Sequence, residues 1–173
     1  FSVGIIEGEV YPKEMKEGDL IYGLSSSGIH SNGYSLINKL LETNEYDSEE
    51  IMKPTKIYVN DILQLQKKYK DKIKGFSHIT GGGLIDNIPR IITKGFTMDI
   101  CKPWPIQDVF KWIYTNSDMN VQEMLRTYNC GIGMVIVLEK DTEIDPSDNL
   151  IELGKIIQSE EYLIDYPMIE KMF

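Results

Sequence analysis

The feature that most narrows what this 173-residue chain can fold into is a unit that occurs twice. In each copy a short run of strand character enters a Gly-rich loop with a histidine in or beside it, and the loop feeds a helix. In the first copy residues 20–24 form the run, Ser25-Ser26-Ser27-Gly28-Ile29-His30-Ser31-Asn32-Gly33 the loop, and Leu36, Ile37, Leu40 and Leu41 the helical stripe. In the second, residues 75–79 form the run, Gly81-Gly82-Gly83 the turn and residues 84–92 a short helix, with His78 and Thr80 beside the glycines. Such interleaving predicts an α/β (α+β) chain, a mixed β-sheet flanked by helices.

The remaining segments keep this grammar. Residues 1–6, 96–100 and 133–138 read as strands. Val59, Ile62, Leu63 and Tyr69 mark one face of a helix entered after Pro54-Thr55 and ending near the Lys-rich 67–74. Residues 105–115 read as a helix, and Trp104 and Trp112 as core. Asn120 and Glu123 stand in capping-box spacing, with Asn for the usual Ser or Thr, which predicts a helix over 121–128. A polar turn over 141–149 leads to closing strands at 150–157 and 162–165. Apart from this recurring order of elements the chain has no internal sequence repeat, and no long linker divides it, so residues 1–173 are read as a single domain large enough for a real core. The opening at Phe1, without an initiator Met, points to a domain excised from a longer protein.

Charge and cysteine usage bound the partners. The 18 Lys and Arg against 27 Asp and Glu leave a net charge of -9, which argues against a nucleic-acid surface while leaving room for one small phosphorylated metabolite. Cys101 and Cys130 lie far apart with no CxxC pattern, which favours two free thiols and a cytoplasmic setting. Cys130 has no base near it in sequence and reads as packed rather than nucleophilic. No run approaches the ~20 apolar residues of a membrane span.

The chemistry is expected where rare residues meet permissive ones. The chain has only two histidines, His30 and His78, and both belong to the repeated unit. Backbone N–H groups in a Gly-rich turn approach an anion closely, and the N-terminus of the following helix adds a favourable dipole. Each loop alone reads equally as a helix cap or plain turn. Two of them on parallel neighbouring strands would reach the same sheet edge, where α/β folds bind ligands. An imidazole at such an edge suits donation or proton transfer near neutral pH. Two histidines without a Cys or carboxylate at ligand spacing make an incomplete zinc set, so no metal site is expected here. Asn129 and Gly131 stand between a helix end and a turn into a strand, and read either as lining the same pocket or as purely structural. Asp19, Asp86 and Arg90 are weaker candidates.

The string from Gly18-Asp19 through Leu24-Ser25-Ser26-Ser27-Gly28-Ile29-His30-Ser31-Asn32-Gly33-Tyr34-Ser35-Leu36 resembles the signature of the aminoimidazole ribonucleotide synthetase family, also called phosphoribosylformylglycinamidine cyclo-ligases. So do Pro54-Thr55-Lys56-Ile57-Tyr58, His78-Ile79-Thr80-Gly81-Gly82-Gly83-Leu84, Asn87-Ile88-Pro89-Arg90, and Arg126-Thr127-Tyr128-Asn129-Cys130-Gly131-Ile132-Gly133. These segments match in order across nearly the whole chain. The His-Ile-Thr-Gly-Gly-Gly string discriminates best, because relatives of the same architecture carry different, often Asp-containing, loops there. Residues 41–53 and 138–154 are shorter than the family norm.

The resemblance implies the C-terminal, substrate-side half of a two-domain enzyme of purine biosynthesis. The family's reaction uses ATP to activate the formyl amide oxygen of formylglycinamidine ribonucleotide, and the ribose-bearing nitrogen closes the imidazole ring as phosphate leaves. ATP and Mg would be bound mainly by an N-terminal domain absent from this chain, which would be inactive alone, and the whole enzyme would be a homodimer. Ser26, Ser27, Gly28, Ser31 and Asn32 are implied near the substrate phosphate. His30 and His78 are implied as the catalytic pair near the reacting amide, with Gly81, Gly82 and Gly83 as oxyanion cradle and Thr80 and Asn129 as further substrate contacts. The alternatives are another ATP-dependent synthetase of the superfamily, or a non-catalytic phosphate- or nucleotide-binding module.

Overall fold

The computed structural model describes residues 4, 5 and 8–173. Most of the strand expected over 1–6 lies outside them. The elements run β1 (Leu20–Ser25), α1 (Tyr34–Leu41), α2 (Ser48–Ile51), α3 (Val59–Tyr69), β2 (Ile73–His78), α4 (Gly83–Asn87), β3 (Thr97–Ile100), α5 (Asp108–Asn116), α6 (Val121–Thr127), β4 (Ile132–Leu138), β5 (Ile151–Ile157), β6 (Leu163–Ile164) and α7 (Tyr166–Glu170), with short 3-10 turns at Lys70–Lys72, Ile88–Ile91 and Pro146–Asp148. The mixed α/β fold is as the sequence predicts. The four-residue α2 and the C-terminal α7 are additions. Each is too short to show a helical period, yet each starts at an Asp whose side chain accepts a first-turn N–H, Asp47 from Glu49 and Asp165 from Met168.

One sheet organises the chain, in the order β2-β4-β1-β5-β3-β6. β4 pairs antiparallel with both β1 and β2, and β5 antiparallel with both β1 and β3, while β6 runs parallel to β3. The expectation that β1 and β2 are parallel neighbours is therefore corrected. They run in the same direction, but β4 lies between them. The consequence for the loops is unchanged, since two strands of one direction deliver their C-terminal ends to one edge.

Side-chain alternation divides the core into two layers. From β4, Val135 and Val137 join the larger cluster with Ile37, Leu84, Phe110, Met124 and Leu125, while Ile136 and Leu138 join Tyr22, Leu24, Tyr58, Leu65 and Tyr69 on the other side. The second layer comes mainly from α3 and covers only the β2-β4-β1 half. Beyond it β5 shows Glu152 and Lys155 to solvent, in alternation with buried Leu153 and Ile156. Cys130 is packed in the larger cluster and Cys101 is half-buried, both as free thiols. Burial holds the Cys130 thiol well above its ordinary range.

The Asn120–Glu123 capping box forms in both directions, Asn120 Oδ1 accepting from Glu123 N and Glu123 Oε2 from Asn120 N, each at 2.9 Å. It starts α6 where the sequence predicts. α6 packs against α4 so closely that a side chain at Gly83 would collide with the Leu125 carbonyl, standing 2.8 Å from its carbon.

Candidate functional site

Three chain segments meet at the edge where β1 and β2 end and β4 begins. The loop over 25–33 leaves β1, residues 79–83 leave β2, and Asn129, Cys130 and Gly131 lead into β4. Asn129 is buried and joins the first to the third. Its Nδ2 donates to Gly28 O at 2.8 Å and its Oδ1 accepts from Gly131 N at 2.9 Å. Ser26 N donates to Gly131 O at 2.8 Å, and Gln107 Nε2 donates to Ser26 O at 2.6 Å. Asn32 Nδ2 reaches Thr127 O at 2.6 Å, and a methyl group added at Gly81 would lie 3.7 Å from Asn32 Oδ1. The two glycine loops are thus direct neighbours.

Backbone conformation sets what the first loop presents. His30 and Ser31 both take left-handed φ values, 56° and 58°, followed by Gly33 at 73°. Two adjacent left-handed residues with side chains are strained, and such strain gathers at functional sites. Gly33 must also lack a side chain, because one would fall 2.6 Å from Tyr128 Cζ, whose hydroxyl donates to Gly33 O at 3.0 Å. No described residue accepts from the N–H groups of residues 28–33, which lead directly into the open first turn of α1. An anion at that rim would meet several donors and the N-terminal dipole of an eight-residue helix.

The second loop is held from beneath by Asn87. It is buried, and its Nδ2 donates to Gly83 O at 2.8 Å and Gly81 O at 3.2 Å. Ser77 Oγ adds a bond to Asn87 O at 2.9 Å. Thr80 and Gly81 are exposed above this support and Gly82 is partly so.

The histidines sit on either side of Tyr58. Ring centroids lie 6.2 Å apart for His30–Tyr58 and 6.0 Å for Tyr58–His78, both edge-on. Tyr58 Oη donates to Ser25 O at 2.9 Å, and burial holds this phenol well above its ordinary range. Space for the arrangement comes from Gly133 in β4. A side chain there would collide with Tyr58 Oη and stand 2.7 Å from His30 Cε1. His30 is buried, with Nε2 3.0 Å from Ser27 N and 3.3 Å from Lys56 N. Its pKa is lowered to about 4, first by burial and then by the charges of His78 and Lys56. His78 is exposed, at the end of β2. Beside it opens a groove of about 540 Å³, lined by Ile57, Tyr58, Val59, Leu63, His78 and Met134 among others. Its rim is unusually apolar, with Ile57 81%, Val59 60% and Leu63 57% exposed.

The candidate residues therefore divide by position. Ser31, His78, Thr80 and Gly81 are exposed and Asn32 and Gly82 partly so, with Asn32 and Gly81 side by side. Ser26, Gly28, His30, Gly83 and Asn129 are buried and hold the loops in place, and Ser27 ties one to Pro54 through a 2.7 Å bond from its hydroxyl. Residue types alone left out Tyr58, Asn87, Gln107 and Lys56, although Gly133 inside a strand is the kind of signal that marks a close approach. Asp19 belongs to a turn, accepting from Lys16 N at 2.8 Å and Lys140 N at 3.2 Å. Asp86 lies beside Gly82 with Arg126 Nε at 3.6 Å. Among the described residues no group of three or more His, Cys, Asp or Glu stands close enough to hold a metal ion by itself. Among those residues, too, no helix is long and apolar enough to cross a membrane.

Residues 16–144 match the family model described as AIR synthase related protein, C-terminal domain. A phosphoribosylformylglycinamidine cyclo-ligase of Thermoanaerobacter pseudethanolicus is 46% identical over 164 residues, covering 86% of this chain and 46% of that protein. One from Neisseria meningitidis is 37% identical over 171 residues, covering 91% and 49%. The chain spans about half the length of the relatives it matches. Among solved structures, thiamine monophosphate kinase from Aquifex aeolicus superposes with a TM-score of 0.60 at 17% identity, covering 90% of this chain and 52% of that one. The same enzyme complexed with AMPPCP and TMP gives 0.61 at 16% identity, covering 91% and 50%. At such identities the structures speak for the fold alone.

Proposed function

The chain belongs to the AIR synthase related family through its C-terminal domain, and on that premise we propose that it is the substrate-side half of an ATP-dependent cyclo-ligase. The whole protein would convert formylglycinamidine ribonucleotide to aminoimidazole ribonucleotide in purine biosynthesis. One observation carries the reading: the two glycine loops, each with an imidazole at hand, adjoin at one sheet edge with Asn32 against Gly81.

In this reading the N–H groups of residues 31–33, on the accessible part of the loop, and the first turn of α1 take the substrate phosphate, assisted by the Ser31 and Asn32 side chains. The exposed loop of Thr80, Gly81 and Gly82 faces the oxygen on which charge develops, where preformed donors stabilise the transition state. His78, open at the same rim, is the side chain placed to move a proton at the reacting amide. ATP supplies the phosphoryl group that activates that oxygen. It and magnesium would be held mainly by an N-terminal half, against which the apolar rim of Ile57, Val59 and Leu63 would pack. Catalysis would rest on positioning and charge stabilisation. The chain alone would turn over nothing, and the intact protein would work as a homodimer in the cytoplasm.

The test is turnover by the full-length protein given ATP and, in parallel, formylglycinamidine ribonucleotide, formylglycinamide ribonucleotide or selenide. Ring closure with the first substrate alone supports the proposal. Turnover of another substrate assigns a sister synthetase, and tight phosphate binding without turnover assigns a binding module.

A further inference from the structure

The resemblance pairs His30 with His78 as catalytic groups, but their surroundings differ. His30 Nε2 is approached by two backbone N–H groups, Ser27 N at 3.0 Å from its own loop and Lys56 N at 3.3 Å from the segment that enters α3. The Ser27 hydroxyl also lies 3.0 Å from Nε2, but gives its hydrogen to Pro54 O at 2.7 Å. Two amide hydrogens aimed at one ring nitrogen call for a lone pair there and outweigh the single hydroxyl lone pair that would favour a proton on Nε2, so the imidazole proton belongs on Nδ1. Nδ1 is buried and has no hydrogen-bond partner among the described residues.

We propose that His30 is a positioning residue, a neutral Nδ1–H imidazole that accepts the Ser27 and Lys56 N–H groups at Nε2 and so locks the Ser/Gly loop to the segment entering α3. The strained part of that loop begins at His30 itself, with left-handed φ at His30 and Ser31. Strain of this kind persists only where neighbouring structure holds it. Asn129 clamps the loop at Gly28 O from the β4 side, and His30 clamps it from the α3 side. Protonation at Nε2 would turn an acceptor into a donor facing two donors. The neighbours that bear on its charge agree: Lys56 on the same segment and His78 on β2 both oppose a cation, Tyr58 is held neutral, and Gly133 on β4 brings no side chain. His78 is then left as the imidazole free to exchange a proton with a ligand.

This deepens the reading of the site given above, and only its kinetic arm rests on that reading. The direct arm uses the chain itself, which has two imidazoles and so yields two sets of ring signals. Uniform 15N-histidine labelling and long-range 1H–15N correlation from about pH 5 to about pH 8 report the tautomer and charge of each, with His78→Gln assigning the spectra. The expected result is an Nδ1–H tautomer for His30 that holds throughout this range. An Nε2–H tautomer, or protonation of His30 near neutrality, overturns the proposal. The kinetic arm uses the full-length protein. His30→Asn, whose amide overlays Nδ1, should lower kcat/KM about 10-fold or more, whereas His30→Gln, whose carbonyl oxygen can take the place of Nε2, should recover most of that loss. Recovery by Asn and not by Gln overturns the proposal. If no cyclisation occurs even in the unsubstituted protein while His30 shows the fixed Nδ1–H tautomer, the functional reading fails and the clamp stands.

Discussion

Gly133 is the position at which the packing of the site is most sharply testable. Its backbone has no need of glycine's left-handed freedom, so alanine should meet a purely steric obstacle. The added methyl would collide with Tyr58 Oη and stand 2.9 Å from Tyr58 Cζ and 2.7 Å from His30 Cε1. Neither ring can swing into solvent, because Tyr58 is 4% and His30 8% exposed. Overpacking of a tight site costs roughly 1–3 kcal/mol. Displacing Tyr58 also breaks its bond to Ser25 O, adding about 1–2 kcal/mol. Gly133→Ala should therefore destabilise the chain by roughly 2–5 kcal/mol in urea unfolding. Adding Tyr58→Phe removes the colliding hydroxyl, so the double variant should be about 1 kcal/mol or more better than the sum of the singles. Gly81→Ala is the control: its methyl would meet only the Asn32 amide, Oδ1 at 3.7 Å and Nδ2 at 4.0 Å, and stability should stay within ~0.5 kcal/mol. A Gly133→Ala chain as stable as that control would refute the packing described for the two rings.

Four further outcomes are expected. His78→Ala, at an exposed position, should leave stability within ~0.5 kcal/mol while lowering kcat of the full-length enzyme about 100-fold, and the reverse pattern would make His78 structural. Asn129→Ala removes the bonds to Gly28 O and Gly131 N and should cost roughly 2–3 kcal/mol in urea unfolding. Asn120→Ala should cost about 1 kcal/mol through loss of the capping box of α6. The pKa of His30 falls on folding from 6.5 to about 4, so the unfolded chain binds the extra proton between those values. That group's contribution is complete above about pH 6.5 and is lost as pH falls toward about 4, an effect on the order of 2–3 kcal/mol, and His30→Gln should flatten the profile there.

The local grammar of the fold could be read from the residues. The runs that became β1 and β4 are apolar on both faces because the sheet is covered on both sides there, and the Asn120–Glu123 pair announces α6 by its spacing. What the sequence hid is non-local. That β4 is threaded between β1 and β2 depends on tertiary pairing, which no period within β1 or β2 encodes. Tyr58 stands 28 positions after His30 and 20 before His78, and only folding sets it between the two rings. The same limit applies to His30, whose residue type suggested chemistry while its partners, two backbone amides, leave no mark in a sequence.

The central claim is that the loops over 28–33 and 79–83 grip one ligand together. Backbone amide shifts of both loops in the full-length protein, followed while formylglycinamidine ribonucleotide is titrated in, test it most directly. Ser31, Asn32, Gly81 and Gly82 should all respond and fit a single dissociation constant. A response confined to one loop, or two separate constants, would contradict the claim.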